Sequence, residues 1–133
     1  MASELRVNTL KDASGNNSIA TSFVAGGSAK AWVNINGSSG TPTAADSLNV
    51  SSLTDNSTGR YAPVLTSAMG NTNFCPGGHS NFHAADSFNV PGGVGLACNN
   101  AITTTTSTFE VSNYYTNYID VKYCFVDVHG DLA

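Results

Sequence analysis

The sequence has few charged residues and very few cations. Lys and Arg number 5 and Asp and Glu number 9 among 133 residues, which gives a formal net charge of -4. The cations are scattered along the chain, whereas nucleic acids and anionic membrane surfaces are bound by clustered Lys and Arg. We therefore expect neither a nucleic acid nor a membrane among the partners of this protein.

The residues that usually build helix surfaces are also scarce. Lys, Glu and Gln are rare, while Asn, Ser, Thr and Gly are abundant and alternate with β-branched and aromatic residues. A hydrophobic fraction of 41% is too high for a disordered chain. The composition therefore predicts an all-β protein with many turns, and the length predicts one compact domain.

Two further features are missing, a leader and an even number of cysteines. The N-terminus has no basic region followed by an apolar segment, and no apolar run approaches the length of a membrane span. We therefore expect synthesis in a cytoplasm without a signal peptide. Cys75, Cys98 and Cys124 cannot all pair within one chain, so we predict buried free thiols, since cytosolic assembly disfavours disulfides.

The most regular pattern lies in residues 29–69. Ala31, Val33 and Ile35 alternate with polar residues and Trp32, which is the two-residue period of a half-buried strand. Residues 48–53 and 60–65 predict two further strands, paired around a polar turn at residues 54–59. Together these three strands predict the seed of one antiparallel sheet.

The remaining segments are less regular. Residues 4–10 alternate weakly, and residues 19–25 form a short apolar piece after a turn. The breakers Cys75-Pro76-Gly77-Gly78 predict irregular structure in residues 70–101. AADSLNV at residues 44–50 returns as AADSFNV at residues 84–90, and two copies with different flanks indicate two similar strand entries rather than a repeat protein. Residues 113–117 are predicted to turn.

Residues 118–128 are predicted to form the longest strand, and both of its faces are apolar. A strand that is apolar on both faces is buried on both. One face can meet the core of the domain, and the other needs either a second sheet or a neighbouring subunit. The predicted faces are Ile119, Val121, Tyr123 and Phe125 on one side and Cys124, Val126 and Val128 on the other.

Several segments resemble one family. AKAWVNING, SLNVSSLTDNSTGRY and the Ala-Met pair that follows are similar to a domain of tail-fibre and other small virion proteins of marine and environmental tailed bacteriophages. LRVNTLKDASGNNSI resembles the segment that often precedes this domain, and FVDVHGD resembles its closing strand. The resemblance does not extend to residues 71–101.

The resemblance implies an antiparallel β-sandwich or jelly-roll-like domain that assembles as a homotrimer. Residues 1–28 would be an N-terminal arm with short strands that docks on a neighbour or pairs at a sheet edge, and residues 29–133 would be the β-sandwich domain. The function that it implies is a non-enzymatic structural component of the virion, namely a trimeric fibre or a capsid-decoration (cement or head-fibre) protein on the particle surface. The alternative is a tail-fibre tip that recognises host surface glycans.

Partners follow from the same resemblance. They are other copies of the chain, capsid or tail proteins and, in the alternative, host glycans. The localisation would be the virion, after synthesis in the host bacterial cytoplasm. The residues predicted at the trimer interface are Trp32, Tyr123, Phe125 and Val126. The Tyr114-Tyr115 pair, in its predicted turn, is the surface that we expect to contact a sugar or another partner.

One segment contains metal-ligand residue types. Cys75, His79 and His83 are each separated by three residues, but zinc sites usually combine one closely spaced pair with a second pair further along the chain. We therefore predict loop histidines beside a buried thiol, with no metal and no cofactor.

Catalytic patterns are not evident either. Glycoside hydrolysis needs two facing carboxylates, and no pair is singled out by its position. The chain also has no Gly-x-Ser-x-Gly elbow for a nucleophilic serine. We therefore expect no enzymatic activity. The carboxylates considered are Asp46, Asp86, Glu110, Asp120 and Asp127.

Overall fold

The computed structural model describes residues 6–16, 18–81, 95–99, 105–114 and 117–133. Strands dominate these residues, and the strands pair in antiparallel fashion, so the predicted all-β class is confirmed. In chain order the elements are β1 (Thr9–Leu10), β2 (Ile19–Ala20), α1 (Thr21–Gly27), β3 (Ala31–Asn36), β4 (Thr43–Leu48), β5 (Val50–Ser57), β6 (Arg60–Leu65), β7 (Cys75–Asn81), β8 (Gly95–Asn99), β9 (Glu110–Tyr114) and β10 (Tyr123–His129).

The first four-stranded sheet has the order β4-β3-β10-β7. The predicted strand at Ala31–Asn36 is confirmed, and the alternation of its side chains gives one buried and one outward side. Val33 lies opposite Val126 of β10, so the two central strands contribute paired valines to the core. β7 and β4 form the two edges of this sheet.

The second four-stranded sheet has the order β5-β6-β9-β8. The predicted pairing of two strands around a turn is confirmed by β5 and β6, although β5 continues to Ser57 and shortens the turn to Thr58 and Gly59. The prediction that β3 belongs to the same sheet is wrong. β3 pairs instead with β4 and β10, and local alternation does not contain that choice of partner.

One hydrophobic core receives side chains from both sheets. Burial of this apolar surface is the main favourable contribution to folding. The buried members from the second sheet include Tyr61, Leu65 and Val111, and Phe109 adds an aromatic ring immediately before β9. The buried members from the first sheet are Ala31, Val33, Ile35, Cys124, Val126 and Val128.

The closing strand begins later than predicted. β10 starts at Tyr123, and the residues before it are not part of a strand. Val121 is buried and Ile119 packs against the core, so the prediction that they share a face with Tyr123 and Phe125 is wrong. The predicted turn at residues 113–117 also begins too early, because β9 extends to Tyr114.

The Cys-Pro-Gly-Gly breaker forms the start of a strand. β7 pairs with β10 from Cys75 to Asn81, which corrects the prediction of irregular structure there. Proline cannot donate a backbone hydrogen bond, and it is therefore confined largely to edge strands and strand ends. Pro76 lies in an edge strand, where only one side of the backbone is paired.

The N-terminal arm (residues 1–28) contains the two-stranded ribbon β1-β2 and the helix α1. The helix replaces part of the apolar piece that was predicted at residues 19–25. It has no side-chain hydrogen bond at its N-cap, and none of its residues is buried. Lys30 Nζ donates to the carbonyl oxygen of Ser28, at 2.9 Å, just before β3 begins.

A single residue joins the two sheets between β4 and β5. Asn49 has a φ of 57°, which asparagine tolerates better than most residues. Its Nδ2 donates to the carbonyl oxygens of Lys30 and Ser67, each at 3.1 Å, and its Oδ1 accepts from the Ser67 amide at 2.7 Å. The chain therefore crosses from one edge strand to the other through a pinned residue.

The predicted burial of the thiols is confirmed in one case and wrong in another. Cys124 is a buried free thiol and Cys75 is an exposed one. Cys75 is exposed because it begins an edge strand on the outward side. The second copy of the internal echo, residues 84–90, lies outside the described residues.

Candidate functional site

The outward side of the first sheet carries a group of aromatic rings. On β10, Tyr123 and Phe125 point outward, whereas Cys124 and Val126 point to the core. His79 of β7 lies directly opposite Phe125. Because directly opposite residues in an antiparallel pair project to the same side, the sheet brings these rings together with Trp32 of β3. We call Trp32, His79, Tyr123 and Phe125 the aromatic face.

The rings of the aromatic face support each other. Tyr123 and Phe125 are nearly parallel, with centroids 6.4 Å apart and an interplanar angle of 2°. The His79 and Phe125 centroids are 5.1 Å apart at 38°. Trp32, Phe125 and Tyr123 are 36%, 37% and 39% exposed, so each keeps a large free surface while its position is fixed by the strands. Such a surface is available to a ligand or a partner.

Part of the aromatic face borders a depression of about 390 Å³. Asn34 lies opposite Phe125 on β10 and also opposite Asp46 on β4. Trp32 lies opposite Asp127. The sheet register therefore places two carboxylates and one amide among the rings. The lining residues are Trp32, Val33, Asn34, Asp46, Gly78, His79, Phe125, Val126 and Asp127.

Among the described residues, the charged side chains that line the depression are the carboxylates Asp46 and Asp127. No Lys or Arg is among its lining residues in the described part of the chain. Gly77 faces Asp127 across the strand pair, and a Cβ at this glycine would come within 3.4 Å of the carboxylate. The missing side chain therefore leaves space beside Asp127. His129 Nε2 lies 2.9 Å from Asp127 Oδ2, and the two side chains remain 42% and 46% exposed.

Glu110 of the second sheet has a carboxylate that is buried and hydrogen-bonded at both oxygens, unlike those of the depression. Glu110 is 1% exposed, and its Oε1 accepts from Arg60 Nε at 2.9 Å and from the terminal Arg60 nitrogen at 2.7 Å. Asn56 Nδ2 donates to the other Glu110 oxygen at 2.6 Å. The Arg60 guanidinium lies 5.5 Å from the centroid of the Tyr118 ring. This carboxylate is covered and hydrogen-bonded, as a structural ion pair would be.

Asp120 is also engaged. Its Oδ1 accepts from the Tyr61 hydroxyl at 2.8 Å and from the Gly59 amide at 2.7 Å. Burial raises the pKa of Tyr61 far above its ordinary value, and the hydrogen bond and charge of Asp120 act in the same direction. Of the carboxylates considered for glycoside hydrolysis, Glu110 and Asp120 thus hold structural contacts, Asp46 and Asp127 line the depression, and Asp86 lies outside the described residues.

Two of the three residues of metal-ligand type, Cys75 and His79, lie far apart on one strand. Cys75 and His79 are four residues apart on β7 rather than in the predicted loop, and this separation corresponds to about 13 Å along a strand. A metal ion bound by both would need bonds of about 2.0–2.3 Å. His83 lies outside the described residues. Among the residues that are described, no group of three or more His, Cys, Asp or Glu could hold a metal ion.

The predicted contact residues have different locations. Trp32, Tyr123 and Phe125 lie together on the aromatic face, whereas Val126 is 3% exposed and packs in the core. Val126 therefore presents little surface to a neighbouring copy, although it is among the residues that line the depression. Tyr114 ends β9 rather than lying in a turn, and Tyr115 lies outside the described residues.

Sequence reasoning considered Asp46, Asp127 and His79 only for other chemistry and did not predict that they share one site. Asp46, Asn34 and His79 come from three different strands, and only the sheet register places them beside Phe125. A usable signal was present on β10, where Tyr123, Phe125 and Asp127 alternate with apolar residues.

Comparisons of the chain with protein-family models, with curated proteins and with solved structures find no match. In the described part of the chain, no helix has the length and apolar character needed to cross a membrane. Function is therefore inferred from the surfaces of the molecule and from the sequence segments quoted above.

Proposed function

We propose that this protein is a non-enzymatic structural component of a tailed-phage virion, a homotrimeric fibre or capsid-decoration protein on the particle surface. It would be made in the cytoplasm of the host bacterium and would bind other copies of itself and a capsid or tail protein. The resemblance of residues 29–69 to virion proteins supports the location on a phage particle. The exposed apolar residues of the N-terminal arm support the assembly into a homotrimer.

The observation that carries the proposal is the exposure of apolar side chains on the arm. Phe23 is 74% exposed, and no residue of α1 is buried. The other large apolar side chains exposed on the arm are Val7, Leu10, Ile19 and Val24. Full burial of one exposed side chain of this kind contributes roughly 1.5–3 kcal/mol, so Phe23 would contribute most of that amount and each of the others a smaller part if a partner covered them.

The helix itself also favours a partner. An isolated helix needs roughly 12–15 residues to be stable in water, and most helices in proteins are stabilised by packing of an apolar side. α1 has 7 residues and no buried side chain. A neighbouring copy that covers Phe23 and Val24 would supply the missing packing. Trimers form closed rings when one surface contacts a different surface of the next copy.

The two sheets support the finer architecture. Each has four strands, and one core receives side chains from both. This arrangement favours a β-sandwich of the jelly-roll-like kind for residues 29–133, because sheets pack face to face when each buries one side.

Light scattering of the purified full-length protein tests the assembly. We expect a mass of about three times the chain mass of 13.7 kDa. Phe23→Ser should lower the mass or raise the concentration needed for assembly. Leu132→Ser is the matched control, because Leu132 is an exposed apolar residue outside the arm and away from the aromatic face. A well-folded single subunit at working concentrations would contradict the trimer.

Fractionated particles test the location. Quantitative mass spectrometry of purified heads and tails should find the protein in a fixed ratio to one of them. Enrichment on heads without tails identifies a decoration protein, and enrichment on tails identifies a fibre. Absence from intact particles would refute the virion proposal whatever the oligomeric state.

A second candidate function is recognition of host surface glycans. It is favoured by the depression beside the aromatic face, where rings and hydrogen-bonding groups occur together. The site for this function is therefore sought on the first sheet rather than at Tyr114 and Tyr115.

A further inference from the structure

We propose that the depression on the first sheet binds a hexopyranose that carries no acidic group, with the sugar ring packed on Phe125 and Trp32. This inference deepens the glycan-recognition candidate by naming its site and its sugar class. It does not need a trimer, because the lining residues belong to one chain, and it requires that copies meet through the arm rather than through Trp32 and Phe125.

The rings provide the apolar part of a sugar site. One side of a hexopyranose ring presents mainly C–H groups, which pack against aromatic rings, while its hydroxyls project from the edge. Phe125 is held between Tyr123 and His79, and Trp32 extends from the neighbouring strand. Because the Phe125 ring already packs against two neighbouring rings, little of its side-chain entropy is lost when a ligand packs on it.

The polar residues provide acceptors for sugar hydroxyls. Hydrogen bonds from a hydroxyl to an ionised carboxylate are stronger than bonds between neutral groups. Asp46 and Asp127 supply such acceptors, and the Asn34 amide between their strands can donate and accept. The space beside Asp127 is kept open by Gly77, which lies opposite it.

The charges select the class of sugar. The described residues of the lining include two carboxylates, Asp46 and Asp127, and no Lys or Arg, so the depression disfavours uronic, sialic and sulphated sugars. The net charge of -4 on the whole chain acts in the same direction. A volume of about 390 Å³ lies within the usual range for small-ligand sites.

The same carboxylates distinguish a sugar from a protein partner. The cores of protein interfaces are depleted in charged residues, since removing a carboxylate from water is costly unless it is paired. A sugar covers the rings and replaces the lost water with hydroxyl donors. The depression therefore suits a polyhydroxylated ligand better than the apolar side of another copy.

Intrinsic fluorescence tests the proposal directly, because Trp32 is the single tryptophan of the chain. Purified full-length protein is titrated with the neutral disaccharides lactose, maltose and mannobiose, and with digalacturonic acid as the acidic probe. We expect at least one neutral sugar to give a saturable change with a Kd of about 1 mM, and the acidic sugar to give none.

Matched variants locate the binding site. Phe125→Ala and Asp46→Asn should each weaken the affinity by about tenfold or more. Phe23→Ala is the control for the aromatic substitution, because it removes an exposed phenylalanine of the arm. Asp55→Asn is the control for the carboxylate, because Asp55 is an exposed aspartate of β5. Both controls should leave the affinity unchanged, and circular dichroism checks that every variant is folded.

Three results would overturn the inference. The first is no saturable response to any neutral sugar up to about 10 mM, well above the expected Kd. The second is equal affinity in Phe125→Ala and Phe23→Ala, which would place binding elsewhere. Preference for the acidic sugar would refute the proposed class. The mass measurement separates this proposal from the assembly, because a monomer that binds sugar contradicts only the trimer.

Discussion

The outward sides of the two sheets differ in how far their carboxylates are buried and paired. On the second sheet, Glu110 is buried and bonded to Arg60 and Asn56. On the first sheet, Asp127 pairs with His129 among the described residues, and both side chains remain about half exposed. A buried pair is sensitive to the loss of either partner, whereas an exposed pair contributes little to stability. The Glu110 carboxylate of the second sheet therefore contributes to stability, whereas the Asp127 carboxylate of the first sheet remains accessible to a ligand.

The largest effect is expected from breaking the buried pair. Glu110→Ala leaves the Arg60 guanidinium without its carboxylate and should lower the free energy of unfolding by about 3–5 kcal/mol. Asp127→Ala is the matched change on the first sheet and should cost less than about 1 kcal/mol. Urea denaturation measures both. Equal losses in the two variants would remove the contrast between the sheets.

Glycines in two turns give the next largest difference. Gly59, in the β5–β6 turn, has a φ of 67°, and a Cβ there would collide with the backbone of Ile119. Gly59→Ala should therefore cost about 3 kcal/mol. Gly40, between β3 and β4, has a φ of 76° and no atom within 4 Å of the added Cβ, so Gly40→Ala should cost only about 1 kcal/mol. If denaturation curves showed a larger loss of stability for Gly40→Ala than for Gly59→Ala, the collision of the new Cβ with the Ile119 backbone would have been relieved by a shift of the chain.

Alkaline pH should lower the free energy of unfolding through ionisation of Tyr61, a core residue of β6. Its pKa is raised in the folded state, so above the ordinary value of about 10 the unfolded chain loses this proton first. The stability that Tyr61 contributes is present below about pH 10 and is lost as the pH rises, by up to about 1.4 kcal/mol per unit. In Tyr61→Phe this part of the slope should vanish. A variant with the same slope as the original protein would contradict the assignment.

The smallest effect is expected on the aromatic face. Phe125→Ala removes a ring that is more than one third exposed, and it should lower the free energy of unfolding by less than about 1 kcal/mol. Any loss of sugar affinity in this variant would then reflect the site and not the fold. A loss as large as that of Glu110→Ala would make Phe125 a core residue.

Much of the strand content was predictable, because alternation identifies strands locally. Residues 31–36 and 60–65 were placed correctly for this reason. The choice of partners was not predictable, since β3 pairs with β10, which lies almost ninety residues later in the chain. Pro76 misled the prediction because its effect depends on whether a strand is at an edge, and edges are a property of the whole sheet.

The site was predictable only in its aromatic part. Trp32, Tyr123 and Phe125 are conspicuous in apolar alternation, and their outward position follows from the two-residue period. Asp46 and His79 carry no such signal. They reach Phe125 only through the register of β4 and β7, which depends on a β-bulge at Asn34 and on pairing through two glycines.

The pinned Asn49 has a mechanical consequence. Asn49 is the only residue between β4 and β5, and its side-chain amide is hydrogen-bonded to the carbonyl oxygens of Lys30 and Ser67. The connection between the two sheets is therefore short and rigid. A force applied to the first sheet would therefore pass directly to the second, and the interstrand hydrogen bonds of both sheets would share the load.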